Sequence, residues 1–378
     1  MSRDGSETNG TIKPPHWLSC ELTYDCPLQC PYCYNPIDFA LHGGKLSVEE
    51  WMRVLNEARA LGVVQVGFTG GEPLLFAGLE TLVAEARRLG CYTNLITSGI
   101  GLDEARARAL KEAGLDKIQV AFQAATPERC NYLAGRSVFK EKLEAARLVK
   151  RYGFPMTVNF VVNRHNIGET AAMLDLAVEL KADYVEFANL LPYSWAWVNV
   201  SQLMPTLAQL RRSEAVVDRY KARYHGVMKI FYVVPDYFEG RPKACLKGWG
   251  EIFMNIAPDG TAEPCQLARQ LPGITFPNVR DQSLEQVWRE SDGFNRFRGF
   301  AWMKEPCRSC PDRFRDYGGC RCQAYMMTGD PSNPDPACHF APDHHKVVEL
   351  SLPLISGRVQ EKPLVFRNPR NSRLLANG

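Results

Sequence analysis

The sequence predicts an α/β protein, an open partial (β/α)6 barrel of the TIM type followed by a smaller cysteine-rich module. Three observations predict it. Short apolar segments alternate with helical patterns from residue 20 to about 190, and glycines recur where those helices end. Beyond them, seven of the 13 cysteines crowd between Cys245 and Cys338.

The strand candidates cover residues 20–24, 64–69, 92–98, 118–123, 157–162 and 184–188, all rich in Val, Ile, Phe and Tyr and mostly spaced as βα units are. Between the first two, Ser47-Val-Glu-Glu50 reads as a capping box, and Trp51, Val54, Leu55 and Ala58 continue as an apolar stripe. Gly62, Gly90 and Gly114 each follow a helical segment and precede a strand, as residues that close a helix do. Near-continuous apolar strands joined by helices imply a parallel sheet with covered faces. Six units are too few to close an eight-fold barrel, so the sheet is expected to stay open, with its chemistry at the C-terminal strand ends. A helix is expected over 206–224. From 242 to 342 the chain is rich in Cys, Gly, Pro and Arg with little periodic apolar pattern, so metal centres would have to organise it.

The expected divisions are a disordered segment over 1–15, the barrel over 16–225, the cysteine-rich domain over 226–345 and a tail over 346–378. The tail carries Arg358, Lys362, Arg367, Arg370 and Arg373 against Glu361, and reads as surface-hugging or partly mobile. A length of 378 residues suits one large domain plus an appendage, and 45% hydrophobic residues suffice for a sizeable core. A net charge of +3 is too mild to argue for nucleic acid or membrane. No apolar run has spanning length and the polar start lacks a signal-peptide core, so a cytoplasmic protein is expected. There, clustered thiols bind metal or do redox chemistry more often than they form disulfides. Cys20, Cys91 and Cys130 stand outside the clusters and read as buried or incidental thiols.

Cys26, Cys30 and Cys33 follow the first strand in the spacing Cys-x3-Cys-x2-Cys. A four-iron cluster needs four ligands, so three thiolates leave one iron open. That iron can chelate the amino and carboxylate groups of S-adenosylmethionine, and electron transfer into the sulfonium then releases a 5′-deoxyadenosyl radical. A zinc knuckle is the alternative, but structural zinc prefers four ligands in paired CxxC form and no fourth Cys or His lies nearby. The second strand ends in Gly70-Gly71-Glu72-Pro73, where glycines allow close approach to a ligand and Glu72 could accept from a cationic amine.

These two motifs, CPLQCPYC and GGEP, resemble those of the radical SAM superfamily. The resemblance implies that Tyr32 lies near the adenine and that Ser98, Gln123 and Asn159 are polar contacts of the ribose and methionine parts. The order Cys245, Gly260, Cys265, Cys307, Cys310, Asp316, Cys320, Cys322, Cys338 resembles the SPASM extension of peptide-modifying radical SAM enzymes. It implies two auxiliary Fe–S clusters, [4Fe–4S] or [2Fe–2S]. Cys245, Cys265, Cys320 and Cys322 would hold the first, and Cys307, Cys310, Asp316 and Cys338 the second, with the aspartate oxygen tuning its potential. A zinc ribbon built from the same cysteines is the alternative reading.

Longer stretches (HWLSCELTYDCPLQCPYCYNPIDFA, YTNLITSGIGL, VVPDYFEGRPKAC, GFNRFRG, EPCRSC, DYGGCRCQA and FRNPRNSRLL) resemble the peptide cyclases of pyrroloquinoline quinone biosynthesis. The likeness runs from about residue 15 to the C-terminal region, and aspartate in the ligand slot is a hallmark of those enzymes. The resemblance implies a C–C bond between a Glu γ-carbon and a Tyr ring of the precursor peptide PqqA, a small chaperone PqqD, and an electron donor of flavodoxin or ferredoxin type. Hydrogen would be taken from the Glu side chain, the carbon radical would add to the Tyr ring, and an auxiliary cluster would accept the remaining electron. Fewer than twenty residues precede the first strand, too few for a leader-peptide-binding domain, so delivery by another chain or direct docking is expected.

Gln266, Tyr34 and the stretch from Pro192 to Ala196 depart from the family pattern, which usually has His, Ser and Tyr-Gly-Trp-Ala there. A maturase of a different peptide or protein therefore remains the alternative, with a zinc-bound scaffold more remote. Tyr193, Trp195 and Trp197 read as a packed strand or rim, and His165 as a structural strand-end residue. No catalytic acid or base can be assigned.

Overall fold

The computed structural model describes residues 12–356 and 362–376. Seven parallel strands form the body of one sheet: β1 (Trp17–Glu21), β2 (Gln65–Thr69), β3 (Tyr92–Thr97), β4 (Lys117–Phe122), β5 (Met156–Val162), β6 (Tyr184–Asn189) and β7 (Lys229–Tyr232). They pair in chain order. On the free side of β1 lies β8 (Phe253–Ile256), also parallel, with Cys20 of β1 facing both Phe68 and Ile256, and β9 (Ala262–Glu263) runs antiparallel to β8. The connecting helices are α1 (Val48–Leu61), α2 (Leu79–Arg88), α3 (Glu104–Glu112), the pair α4 (Pro127–Ala134) and α5 (Phe139–Arg151), and α6 (Thr170–Glu179). After β6 come α7 (Ser194–Val198), α8 (Val200–Leu203) and the long α9 (Leu207–Arg223). The α/β fold with a parallel-sheet core is the one expected.

The α1 capping box forms as read. Ser47 accepts from Glu50 N at 3.2 Å and Glu50 accepts from Ser47 N at 2.7 Å, while Trp51, Val54, Leu55 and Ala58 are buried. One face of the sheet packs on the helices. Leu18, Val66, Phe68, Leu95, Val120, Val158 and Val185 join its core, and Phe122, Phe160 and Phe187 run across β4, β5 and β6 with centroids 6.2 and 5.6 Å apart. Alternate positions point the other way, because side chains alternate along a strand. These hold Ser19, Glu21, Thr69, Thr157 and Asn159, all buried and polar. The expectation of near-continuous apolar strands is corrected there: the second face of the sheet is polar, as a surface that lines a site must be.

Other boundaries shift. The first strand lies at Trp17–Glu21 rather than 20–24, because Thr23 already accepts from Asp25 N in a turn at 3.0 Å and leads into the cysteine loop. β7 lies beyond residue 225 and β8 beyond 242, so the sheet itself crosses the expected barrel boundary. Four-residue strands carry too little periodicity to read from sequence. The cysteine-rich region also has an apolar core of its own, with Trp249, Leu267, Leu271 and Phe297 buried. Of the segment expected to be disordered, 1–11 lies outside the described residues, but Ile12 and Lys13 accept from Arg289 and Trp288 at 3.2 and 2.8 Å. Tyr193, Trp195 and Trp197 belong to the start of a short helix, not a strand. Among the described residues no helix is long and apolar enough to cross a membrane.

Candidate metal and cofactor sites

The cysteine loop leaves β1 and is held from three sides. From β2, Gly71 N and Glu72 N donate to Thr23 O and Asp25 O. A Cβ at Gly70 would stand 2.4 Å from Thr23 O, and one at Gly71 2.3 Å from Asp25 O. The glycines expected to admit a ligand therefore serve first to bring the two loops together. Tyr34 braces the same junction, its hydroxyl 3.0 Å from Thr69 Oγ1. From the far side of β6, Asn199 Nδ2 donates to Pro31 O at 2.9 Å. From the tail, Arg367 N donates to Gln29 O at 3.1 Å, and its buried guanidinium donates to Tyr24 O and lies 3.8 Å over the Phe39 ring. The expected surface tail is thus built into the site at Arg367, while Arg358 and Glu361 lie outside the described residues.

Burial pushes the Cys26 thiol up to about 12 and raises Cys30 and Cys33 as well. Bare thiolates are costly here, so cations or a metal must accompany them. Arg367 opposes the rise at Cys26 and Cys33, and Lys142 opposes it at Cys30. Lys142 is fully buried on α5 and donates to Ser98 O and Ala121 O, each at 2.8 Å. The sequence reading missed both cations. Lys142 had a legible signal, since it falls at helical spacing on the buried stripe of Phe139, Ala145, Ala146 and Val149.

The expected cofactor residues gather around this loop. The Tyr32 hydroxyl is buried with no partner except the Cys30 sulfur beside it. Gln123 reaches Cys30 Sγ at 3.8 Å and accepts from Cys130 at 3.4 Å, which brings the supposedly incidental Cys130 to the edge of the site. Pro73 and Ser98 are buried at the ends of β2 and β3. Asn159, on β5, donates to Glu186 at 3.0 Å. Glu72 differs from expectation. Its carboxylate accepts from Leu74 N (3.0 Å), Thr97 Oγ1 (2.6 Å), Ser98 N (2.8 Å) and Ser98 Oγ (2.5 Å). Four donors occupy its acceptor positions, so no direct bond to a ligand amine is left, and Glu72 instead pins the end of β3 to that of β2.

In the cysteine-rich region, the sulfurs of Cys245 and Cys265 contact those of Cys320 and Cys322 respectively, and Cys320 also contacts Cys322. The thiols of Cys245 and Cys322 and, to a smaller extent, the Tyr193 hydroxyl at 3.0 Å donate to Cys320 and hold its thiol well below the usual range. A separate cavity of about 340 Å³ is lined by Cys307, Cys310, Asp316 and Cys338. Asp335 lines it too and accepts from Cys320 N at 2.7 Å, so it stands between the two groups. Burial pushes Asp335 up to about 7. Among the described residues no three His, Cys, Asp or Glu side chains are set to hold one ion.

Glu21 closes the polar face, where it accepts from Asn255 at 3.1 Å, and burial pushes it up to about 7. A carboxyl whose pKa rises on folding favours the folded state while protonated. That contribution is complete below the usual carboxylate range and is lost as pH climbs through 7. Relative to its parent, Glu21→Gln should therefore gain stability between pH 5 and pH 8, by as much as about 3 kcal/mol. Anaerobic thermal unfolding at both pH values reads this, and a Tm difference independent of pH would count against it.

The model of the radical SAM superfamily matches residues 20–177, and that of the SPASM iron–sulfur cluster-binding domain matches residues 245–311. Asp316, Cys320, Cys322 and Cys338 lie past the end of the second match. Among solved structures, Streptococcus suis SuiB bound to S-adenosylmethionine is 20% identical, with a TM-score of 0.70 over 85% of this chain and 76% of that one. SuiB bound to precursor peptide SuiA gives 19% identity and 0.70 over 86% and 76%. The structure of anSMEcpe with bound AdoMet and the Cp18Cys peptide gives 18% identity and 0.65 over 91% and 99%. The first domain implies a [4Fe–4S] cluster with S-adenosylmethionine, and the second implies auxiliary iron–sulfur clusters. The half-buried thiols, the flanking cations and the buried Tyr32 hydroxyl beside the Cys30 sulfur fit such groups. The chain carries a radical SAM domain and, behind it, a SPASM iron–sulfur cluster-binding domain.

Proposed function

We propose that the protein is a radical SAM peptide cyclase that joins a Glu side chain to a Tyr ring in a precursor peptide of the PqqA type, presented by a PqqD-type chaperone. The observation that carries the reading is Asp316, which lines one cavity with Cys307, Cys310 and Cys338 in the slot where the cyclase family resembled by this sequence places an aspartate ligand. SuiB and anSMEcpe, which share the fold, are seen with peptides bound. Expectation and geometry together suggest Cys26, Cys30 and Cys33 as ligands of the radical cluster. Cys245, Cys265, Cys320 and Cys322 would serve the first auxiliary cluster, and Cys307, Cys310, Asp316 and Cys338 the second.

When bound, the reduced cluster and S-adenosylmethionine supply hydrogen-abstracting chemistry. The chain's own residues hold and shield that centre. Tyr32 and Gln123 flank Cys30, and Lys142 and Arg367 offset thiolate charge. Gly70, Gly71, Pro73 and Ser98 form the strand-end floor that Glu72 fixes, and Asn159 offers a polar contact farther along the sheet. The departures at Tyr34, Gln266 and residues 192–196 are taken up by packing. Tyr34 bonds Thr69, Gln266 Nε2 donates to Ser19 at 3.3 Å, and Pro192 and Trp195 are buried. Incubation of the reduced holoenzyme with PqqA-type peptide and its chaperone should give a product lighter by two hydrogens. Cleavage of S-adenosylmethionine with the peptide left unchanged would refute this substrate and favour another peptide.

A further inference from the structure

Tyr193 and Ser194 face opposite ways from one turn of chain. Tyr193 is 3% exposed and donates through its hydroxyl to Cys320 Sγ at 3.0 Å. Ser194, fully buried, has φ of +48°, a left-handed conformation that a serine adopts only under constraint. Its hydroxyl donates to Asn35 O at 2.5 Å. Asn35 in turn accepts from the Cys33 thiol at 3.4 Å. The next turn continues the attachment, because Trp195 Nε1 donates to Pro36 O at 3.4 Å and Asn199 Nδ2 to Pro31 O at 2.9 Å. One short segment therefore touches a cysteine of the C-terminal module at one end and grips the radical cysteine loop along the rest. Strain at Ser194 is the conformational cost of serving both.

We infer that Tyr193 is a positioning residue that tunes the first auxiliary centre through the Cys320 sulfur, and that Ser194 ties the same segment to the radical cysteine loop. The inference rests on the reading of Cys320 as an iron–sulfur ligand. A hydrogen bond donated to a ligating sulfur withdraws charge from it, which favours the reduced cluster and raises its potential. The two cysteine groups then share one rigid element, so a change at Ser194 is felt at the triad and a change at Tyr193 is felt at Cys320.

Potentiometric titration of the anaerobic holoenzyme, followed by electron paramagnetic resonance, tests this. Tyr193→Phe should keep full iron content and move one auxiliary potential to more negative values, with the other unmoved. Difluorotyrosine at the same position, a stronger donor of nearly the same shape, should move it the opposite way. Ser194→Ala should leave that potential in place and speed the loss of iron from the triad to a chelator. If Cys320→Ala leaves iron content and every auxiliary signal intact, the ligand reading itself fails. If Cys320→Ala removes one signal while both Tyr193 variants leave that potential unmoved, the role of Tyr193 is overturned. Unchanged iron loss in Ser194→Ala overturns the role of Ser194.

Discussion

Cys30→Ala is expected to reduce 5′-deoxyadenosine formation to background and to lower iron content by about four atoms per chain. Cys30, like Cys26 and Cys33, is partly buried. It packs with Leu28, Ile100, Ala134 and Val138, the Gln123 amide points at its sulfur, and the Tyr32 hydroxyl lies beside it. Alanine removes that thiol, while the Cys26 sulfur is held by Leu28 N at 3.5 Å and the Cys33 thiol by Asn35 Oδ1 at 3.4 Å. Lys142 and Arg367 then lose much of the negative charge they face, so the loop loses electrostatic support as well. Iron content and product formation, read on the same preparation, separate loss of the centre from loss of the reaction. Retention of both would show that Cys30 is no ligand.

Glu72→Gln should have the second largest effect. The carboxylate receives two backbone N–H groups, from Leu74 and Ser98, and two hydroxyls, from Thr97 and Ser98. The hydroxyls can turn to accept from an amide, but the N–H groups cannot. Whichever way the glutamine is placed, its NH₂ faces one backbone donor inside a fully buried site. The expected cost is about 3 kcal/mol, which combines a lost charge-assisted bond with an unsatisfied donor. Because Ser98 directly follows β3 and its carbonyl accepts from Lys142, the shift should also weaken S-adenosylmethionine binding. A Tm lower by several degrees and weaker binding in equilibrium titration are expected together. An unchanged Tm would contradict the four-donor account, whereas a lower Tm with unchanged binding would confine Glu72 to a structural role.

Much of this was legible in the sequence where local chemistry dictated local structure. The Ser47 capping box, the α1 stripe and the barrel strands follow from local pattern, and the spacing of the cysteine triad by itself implies an open cluster. What escaped depended on long-range contact. Nothing in Arg367 or its neighbours says that they return to the loop at Tyr24 and Gln29. Glu72 looked like a ligand residue because a carboxylate after two glycines is ordinarily free, and only the fold reveals four donors converging on it. β8 is four residues long, and its partner β1 lies more than 200 residues earlier in the chain. Tyr193 was read as packing, which its burial supports, but its hydroxyl meets a cysteine 127 positions away.

The central claim is that the triad leaves one iron open to S-adenosylmethionine. It is tested most directly by electron–nuclear double resonance on the reduced, oxygen-protected protein, with the methionine amino nitrogen and carboxylate oxygen isotopically labelled. Coupling of both labels to the cluster is the predicted result. Iron present in the loop with no coupling to either label, its fourth site filled by a side chain of the protein, would contradict the account.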